Sequence, residues 1–255
     1  MLFILTGKFQ TGKTRWLERL AQTVQQNGFP VYGVIAPGQW RDHGEDAPEG
    51  QRFEKLGIDN VLLPQQEKIT FARRPDLAAL PAQVEGGMAA APTPTASPSH
   101  AAAPAAASCK QSSEAKLGWA IDDAAIDQVN AHFCTLCGLA KDCMLPEEIK
   151  RGAGIDAQAP ERAGLLVVDE LGPLELMRGG GLTSAMDVLS QGPSALCAHA
   201  LIVVRESLYD TAAARFSDCW GGATALYPTE EAAKQVLAAL KTAPNAASEQ
   251  KLPTK

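Results

Sequence analysis

Short unbroken apolar runs along the chain alternate with stretches whose apolar residues recur every three or four positions, the pattern of strands alternating with helices. Leu2 to Thr6 is such a run and ends at a glycine-containing turn. From Thr14 to Gln26, Leu17, Leu20, Ala21 and Val24 share one helical face, and Gly28 and Pro30 stop the helix. Val31 to Ala36 predicts the next strand, completing a βαβ unit with a right-handed crossover. The segments of Gly50 to Arg74 are short and turn-bounded and predict a small appended hairpin. Further on, Ile121, Ile126, Val129, Phe133, Leu136 and Ala140 approximate one helical face. Leu165 to Val168 and Ala200 to Val204 are continuous apolar runs, as in central strands covered on both sides. Ser207 to Phe216 predicts a helix and Ala223 to Tyr227 a last strand. Thr229, with Glu231 behind it, predicts a capped helix to about Leu240.

That order predicts an α/β fold, a doubly wound, mainly parallel sheet with helices on both faces. Residues 88 to 107 break the pattern: Ala and Pro supply fourteen of twenty positions, too little apolar surface to offset ordering entropy. Residues 81–116 are therefore read as a low-complexity disordered insertion in one domain, whose two parts are 1–80 and 117–241. Residues 242–255 are read as a disordered tail.

Composition narrows the possibilities. The 255 residues contain 45% hydrophobic and 20% charged residues, ordinary for a globular chain. Lys plus Arg is 23 against 29 Asp plus Glu, a net charge of -6, and no basic run is longer than two residues, as in Arg73-Arg74. A protein that grips nucleic acid through bulk charge is not expected. Met1 to Leu5 lacks a basic leader and is too short to span a bilayer, which predicts a cytoplasmic protein without a membrane partner and with reduced thiols.

The chemistry begins at Gly7-Lys8-Phe9-Gln10-Thr11-Gly12-Lys13-Thr14, a GxxxxGK[ST] pattern between a strand and a helix. Small residues at that spacing let backbone N–H groups curl around a phosphate at a helix N-terminus. Lys13 would set its ammonium between β- and γ-phosphates, and Thr14 would coordinate Mg²⁺. A second signal is Leu165-Leu166-Val167-Val168-Asp169-Glu170, an apolar strand delivering two carboxylates at its C-terminal end, the edge on which the phosphate loop should also lie. Asp169 is then a metal-binding group, and Glu170 is placed to orient or deprotonate an attacking water. Arg205, after the strand Ala200 to Val204, either neutralises charge on the transferred phosphoryl group or pairs with Glu206. Glu175 is either a second carboxylate for metal or substrate or a plain helix-start acid; Thr183 reads as a helix cap.

The GKFQTGKT loop, the LLVVDELGPLEL segment and the strand Val31 to Pro37 together resemble the THEP1-like nucleoside-triphosphatase family. The resemblance covers about residues 1 to 80 and 117 to 240 and implies a P-loop α/β fold that hydrolyses ATP, GTP and other nucleoside triphosphates with Mg²⁺. It carries over Lys13, Thr14, Asp169, Glu170 and Glu175. The Ala/Pro-rich insertion departs from the compact family pattern, and Gln51 to Arg74 matches loosely. No N-K-x-D-like base-reading motif is present, which leaves the loop of Tyr227 and Pro228 as a place for base contact. Two other readings stay open: a kinase for a nucleotide or another small molecule, with the Gly50 to Arg74 segment as an acceptor lid, and a nucleotide-gated adaptor with negligible turnover. His132, Cys134, Cys137 and Cys143 have short metal-ligand-like spacing. One continuous helix cannot bring all four to a single centre, so thiols without metal are the expectation.

Overall fold

The computed structural model describes residues 1–8, 11–48, 52–77, 118–140 and 162–243. The expected insertion at 81–116, the tail from 244, Phe9, Gln10, Cys109 and Cys143 lie outside the described residues. Along the chain come β1 (Leu2–Leu5), α1 (Lys13–Gln26), β2 (Val31–Ile35), β3 (Gly38–Asp42), β4 (Phe53–Leu63), β5 (Glu67–Arg73), β6 (Ala120–Ile121) and α2 (Asp123–Ala140). There follow β7 (Gly164–Leu171), α3 (Pro173–Arg178), α4 (Thr183–Gln191), β8 (Cys197–Val204), α5 (Tyr209–Phe216), β9 (Ala223–Leu226) and α6 (Glu230–Thr242).

The strands form one sheet in the order β6-β5-β4-β2-β7-β8-β1-β9, with β3 paired to β4. From β2 to β9 all neighbours run parallel. β4 is antiparallel to β2, and β3, β5 and β6 continue antiparallel from there. The architecture is thus a mixed α/β sheet with helices, and two expectations change. The sheet is mixed rather than mainly parallel, and the Gly50 to Arg74 region is no appended hairpin: β4 is an 11-residue strand of the main sheet. Leu62 packs into the core on one face of the sheet and Leu63 into the core on the other.

Alternation sorts every central strand between two cores. Phe3, Leu5, Val31, Ile35, Val167 and Val203 face α1 and α6, packing on Leu17, Leu20, Val236 and Leu240. Leu2, Ile4, Val34, Val168, Ile202 and Val204 face α2, α4 and α5, packing on Val129, Phe133, Leu189 and Phe216. Full burial of each large apolar side chain contributes about 1.5–3 kcal/mol, which is why apolar runs without polar breaks mark these strands. Thr229 caps α6 as expected, its hydroxyl accepting from the Ala232 amide at 3.2 Å. Thr183 does not cap α4: it is the first helical residue, and Leu182 holds the cap position without a side-chain bond.

Gly33 is the tightest joint between the parallel and antiparallel halves. Its φ is +109°, and a Cβ there would lie 2.0 Å from the Val167 carbonyl oxygen on the neighbouring strand. Relieving that clash would mean parting β2 from β7. Gly33→Ala is therefore expected to destabilise the chain by about 3 kcal/mol or more; chemical denaturation measures this, and a midpoint unchanged from the parent would contradict the packing described.

Candidate active site

The end of β1 runs into a loop whose amides precede α1, and Gly12 at its N-cap has φ +79°, a left-handed conformation that an L side chain resists. Lys13 leads the helix, but its ammonium folds back to donate to the carbonyls of Gly7 at 3.1 Å and Lys8 at 2.8 Å. The Thr11 hydroxyl also donates to Lys8 O, at 2.9 Å. The loop is thus held by its own side chains, with Gly7, Lys8, Thr11, Gly12, Lys13 and Thr14 described.

Strand β7 extends past Val168, so Asp169 and Glu170 belong to the strand rather than follow it. Pairing with β8 moves from Val168↔Ile202 to Leu171↔Val204, one more residue on β7 than on β8. Such a bulge re-aims side chains. Asp169 is buried and Glu170 is about half exposed.

Asp169 accepts from the Ala36 amide just after β2, 3.1 Å away, and the Thr14 hydroxyl at the start of α1 lies near enough to favour its charged form. Burial pushes its carboxyl up to about 7; the Ala36 amide and the Thr14 hydroxyl oppose the rise, while the charges of Glu170 and Glu18 add to it. The fold thereby brings the last residue of the phosphate-type loop to the first carboxylate of β7. Burial keeps the proton affinity of Asp169 raised although the Lys55 ammonium lies within reach of its charge. Hard oxygen donors of this kind suit a small divalent cation, and Mg²⁺ commonly takes only one or two protein groups, with phosphate and water completing its shell.

The proton on Asp169 gives a pH prediction. Its carboxyl titrates near 7 in the folded chain against an ordinary 3.8, so between these values the folded state binds more protons than the unfolded state. This group's contribution is fully present below about pH 4 and is lost as pH rises through about 7. In chelator, the melting temperature of the parent is expected to fall relative to Asp169→Asn between about pH 5 and pH 7.5. A pH-independent gap between the two melting curves would contradict the assignment.

Arg205 sits past β8 and donates from Nε to Glu170 Oε1 at 3.0 Å. The pairing expected with Glu206 is replaced by one with the neighbouring strand's carboxylate, because β7 and β8 end on the same edge. Both side chains are about half exposed, so the pair adds about 0–1 kcal/mol to stability.

Glu175 has a different place from the metal role considered above. It is buried, accepts from the Gly172 amide at 2.9 Å and the Leu182 amide at 3.4 Å, and closes the start of α3. Burial raises its proton affinity and those amides oppose the rise. Asn130 of α2 braces the same turn, donating to Gly181 O at 3.0 Å and accepting from the Ser184 amide at 3.0 Å.

The His/Cys group does not converge among the described residues. His132 donates from Nε2 to the Gly33 carbonyl at 3.2 Å, Cys134 Sγ lies 3.3 Å from Ser184 Oγ, and Cys137 accepts from Gln191 at 3.0 Å. No cluster of three or more His, Cys, Asp or Glu suited to a metal occurs among the described residues. Among those residues, too, no helix is long and apolar enough to cross a membrane.

Beside Thr14, Asp169, Glu170 and Arg205 opens a cavity of about 340 Å³. Its other walls come from the antiparallel strands and from α2 and α3, and include Lys55, Asn60, Phe71, Trp119, Ile126 and Leu182. The sequence patterns assigned no role to Lys55, Asn60 or Trp119. One signal did exist: Asn60 directly precedes the apolar run Val61-Leu62-Leu63, and it is 1% exposed. Tyr227, the candidate for base contact, is exposed beside Gly7 and outside this cavity.

No family model matches the chain, and no curated protein matches it. Among solved structures it is similar to the solution structure of a human cancer-related nucleoside triphosphatase, with 16% identity and a TM-score of 0.44 over 94% of this chain and 95% of that one.

Proposed function

We propose that this chain is a Mg²⁺-dependent nucleoside-triphosphate phosphohydrolase that releases the γ-phosphate of ATP, GTP and related nucleotides. The observation that carries the reading is that Thr14, which ends the GxxxxGK[ST] loop, and Asp169, the first carboxylate of β7, line one cavity side by side. The loop amides of residues 7 to 14 would cradle the phosphates at the start of α1. Lys13 would exchange its two loop carbonyls for β- and γ-phosphate oxygens. Thr14 and Asp169 would hold Mg²⁺, which when bound supplies positive charge to the β- and γ-oxygens. Glu170 would orient the attacking water and take its proton, and Arg205, released from Glu170, would neutralise charge on the transferred group.

Phosphate release from a panel of nucleoside tri- and diphosphates, with and without Mg²⁺, tests the proposal. Metal-dependent release from triphosphates supports it. Absence of both phosphate release and binding heat with Mg-ATP would end it.

A further inference from the structure

The 340 Å³ cavity is far larger than hydrolysis needs, since a water occupies about 30 Å³. It also lies at a particular end of the expected nucleotide. Thr14 and Asp169 would hold the metal beside the terminal phosphate, so the γ-phosphate would face them and the nucleoside would extend from the opposite end of the triphosphate. The cavity has Thr14, Asp169 and Glu170 in its wall, but not Gly7, Lys8 or Tyr227 among the described residues. With the nucleotide seated so, the cavity would open beyond the γ-phosphate, on the side from which a nucleophile would attack in line.

Its walls suit a flat ring. Phe71, Trp119, Ile58 and Ile126 are apolar or aromatic, and the Lys55 ammonium lies 5.2 Å from the Trp119 ring centroid. Asn60, in the wall, has an amide nitrogen, Nδ2, that is buried with no hydrogen-bond partner. An unsatisfied buried donor costs about 1–3 kcal/mol and calls for an acceptor. Pockets for small ligands run from about 300 to 1,000 Å³, so this one fits a single ring system with a sugar-sized appendage.

Resting on the nucleotide reading for its chemistry, we propose that this cavity seats a second substrate of ribonucleoside type, whose hydroxyl takes the γ-phosphoryl group in place of water. The acceptor oxygen bonds to the γ-phosphorus as the bond from that phosphorus to the β-bridging oxygen breaks. The hydroxyl proton passes to the Glu170 carboxylate, and the nucleoside diphosphate leaves with the bonding electron pair. Lys55 and Arg205 flank the transferred group. Hydrolysis is then the reaction of the same site when no acceptor fills the cavity.

Two measurements on the full chain test this. Saturation-transfer NMR without nucleotide, using adenosine, guanosine, cytidine and uridine as probes, is expected to show at least one binding. Asn60→Leu and Trp119→Ala should weaken that binding about tenfold, the loss of one hydrogen bond or one ring contact. Asn60→Leu should melt no lower than the parent, because it removes an unpaired donor, and Trp119→Ala serves if it does not fold. With γ-labelled Mg-ATP, the bound nucleoside is expected to gain label as its monophosphate while free phosphate falls by the same amount. Acceptor-free phosphate release should be unchanged in both variants. Binding that neither variant weakens, binding without label transfer, or no binding by any of the four would overturn the proposal. Absence of phosphate release in every arm would instead count against the nucleotide reading, while the NMR arm still reports on the cavity.

Discussion

Lys13→Ala is expected to lower phosphate release from Mg-ATP by roughly 10²–10³-fold while leaving the melting temperature within a degree or two of the parent. The asymmetry follows from where the ammonium sits. Its partners are two carbonyls of its own loop, an exposed one of Lys8 and a part-buried one of Gly7, so removing it leaves at most one carbonyl without ready access to water. In the proposed reaction the same ammonium is the positive charge nearest the bond that breaks, and removing one preorganised electrostatic donor typically costs that factor. A phosphate-release assay on matched preparations, with a melting curve of each, decides the point. Equal rates in parent and variant would assign the release to a contaminating enzyme.

Glu170→Gln is expected to slow turnover by about 10²–10⁴-fold with little change in Mg-ATP affinity, the range for removing a general base. Glutamine keeps the shape and an oxygen for the Arg205 guanidinium, now 3.0 Å away, so the edge of the sheet should persist. What it loses is the ability to take a proton. Single-turnover kinetics and calorimetric titration separate the two quantities: a fall in kcat at constant affinity supports the role, and a matching loss of binding would make Glu170 a ligand-holding residue instead. Asp169→Asn differs, because Asp169 is buried beside Thr14 and the Ala36 amide and in the proposed reaction would hold the metal rather than the water.

Much of the central sheet was legible because buried strands have no polar face to obscure them. Leu2 to Leu5, Leu165 to Val168 and Ala200 to Val204 read as strands and are strands; the helical faces of Leu17, Leu20 and Val24 and of Ile126, Val129 and Phe133 are buried as their spacing predicts. The antiparallel half was misread because its strands carry polar residues where apolar ones were sought. Asp59 and Asn60 interrupt β4, and Asp59 is tolerated only because Lys68 on the adjacent strand reaches it at 2.6 Å and Gln39 on the other neighbour donates to it. Those partners come from pairing that is invisible in a linear reading. Glu175 shows the same limit: an acid after a Gly-Pro turn reads equally as a metal group or a helix-start acid until the amides of Gly172 and Leu182 are seen to surround it.

By itself the amino-acid sequence determined the alternation of strand and helix, the candidate loop of Gly7 to Thr14 and the paired carboxylates after Val168, because each depends on residues close together along the chain. Tertiary structure alone decided that Asp169 meets Thr14, that Arg205 pairs with Glu170 rather than Glu206, and that Asn60, Phe71 and Trp119 wall a cavity beside them. The physical reason is strand order. β2 lies beside β7 in the sheet though far from it in sequence, and only such packing determines which polar groups are buried together and which charges remain near water.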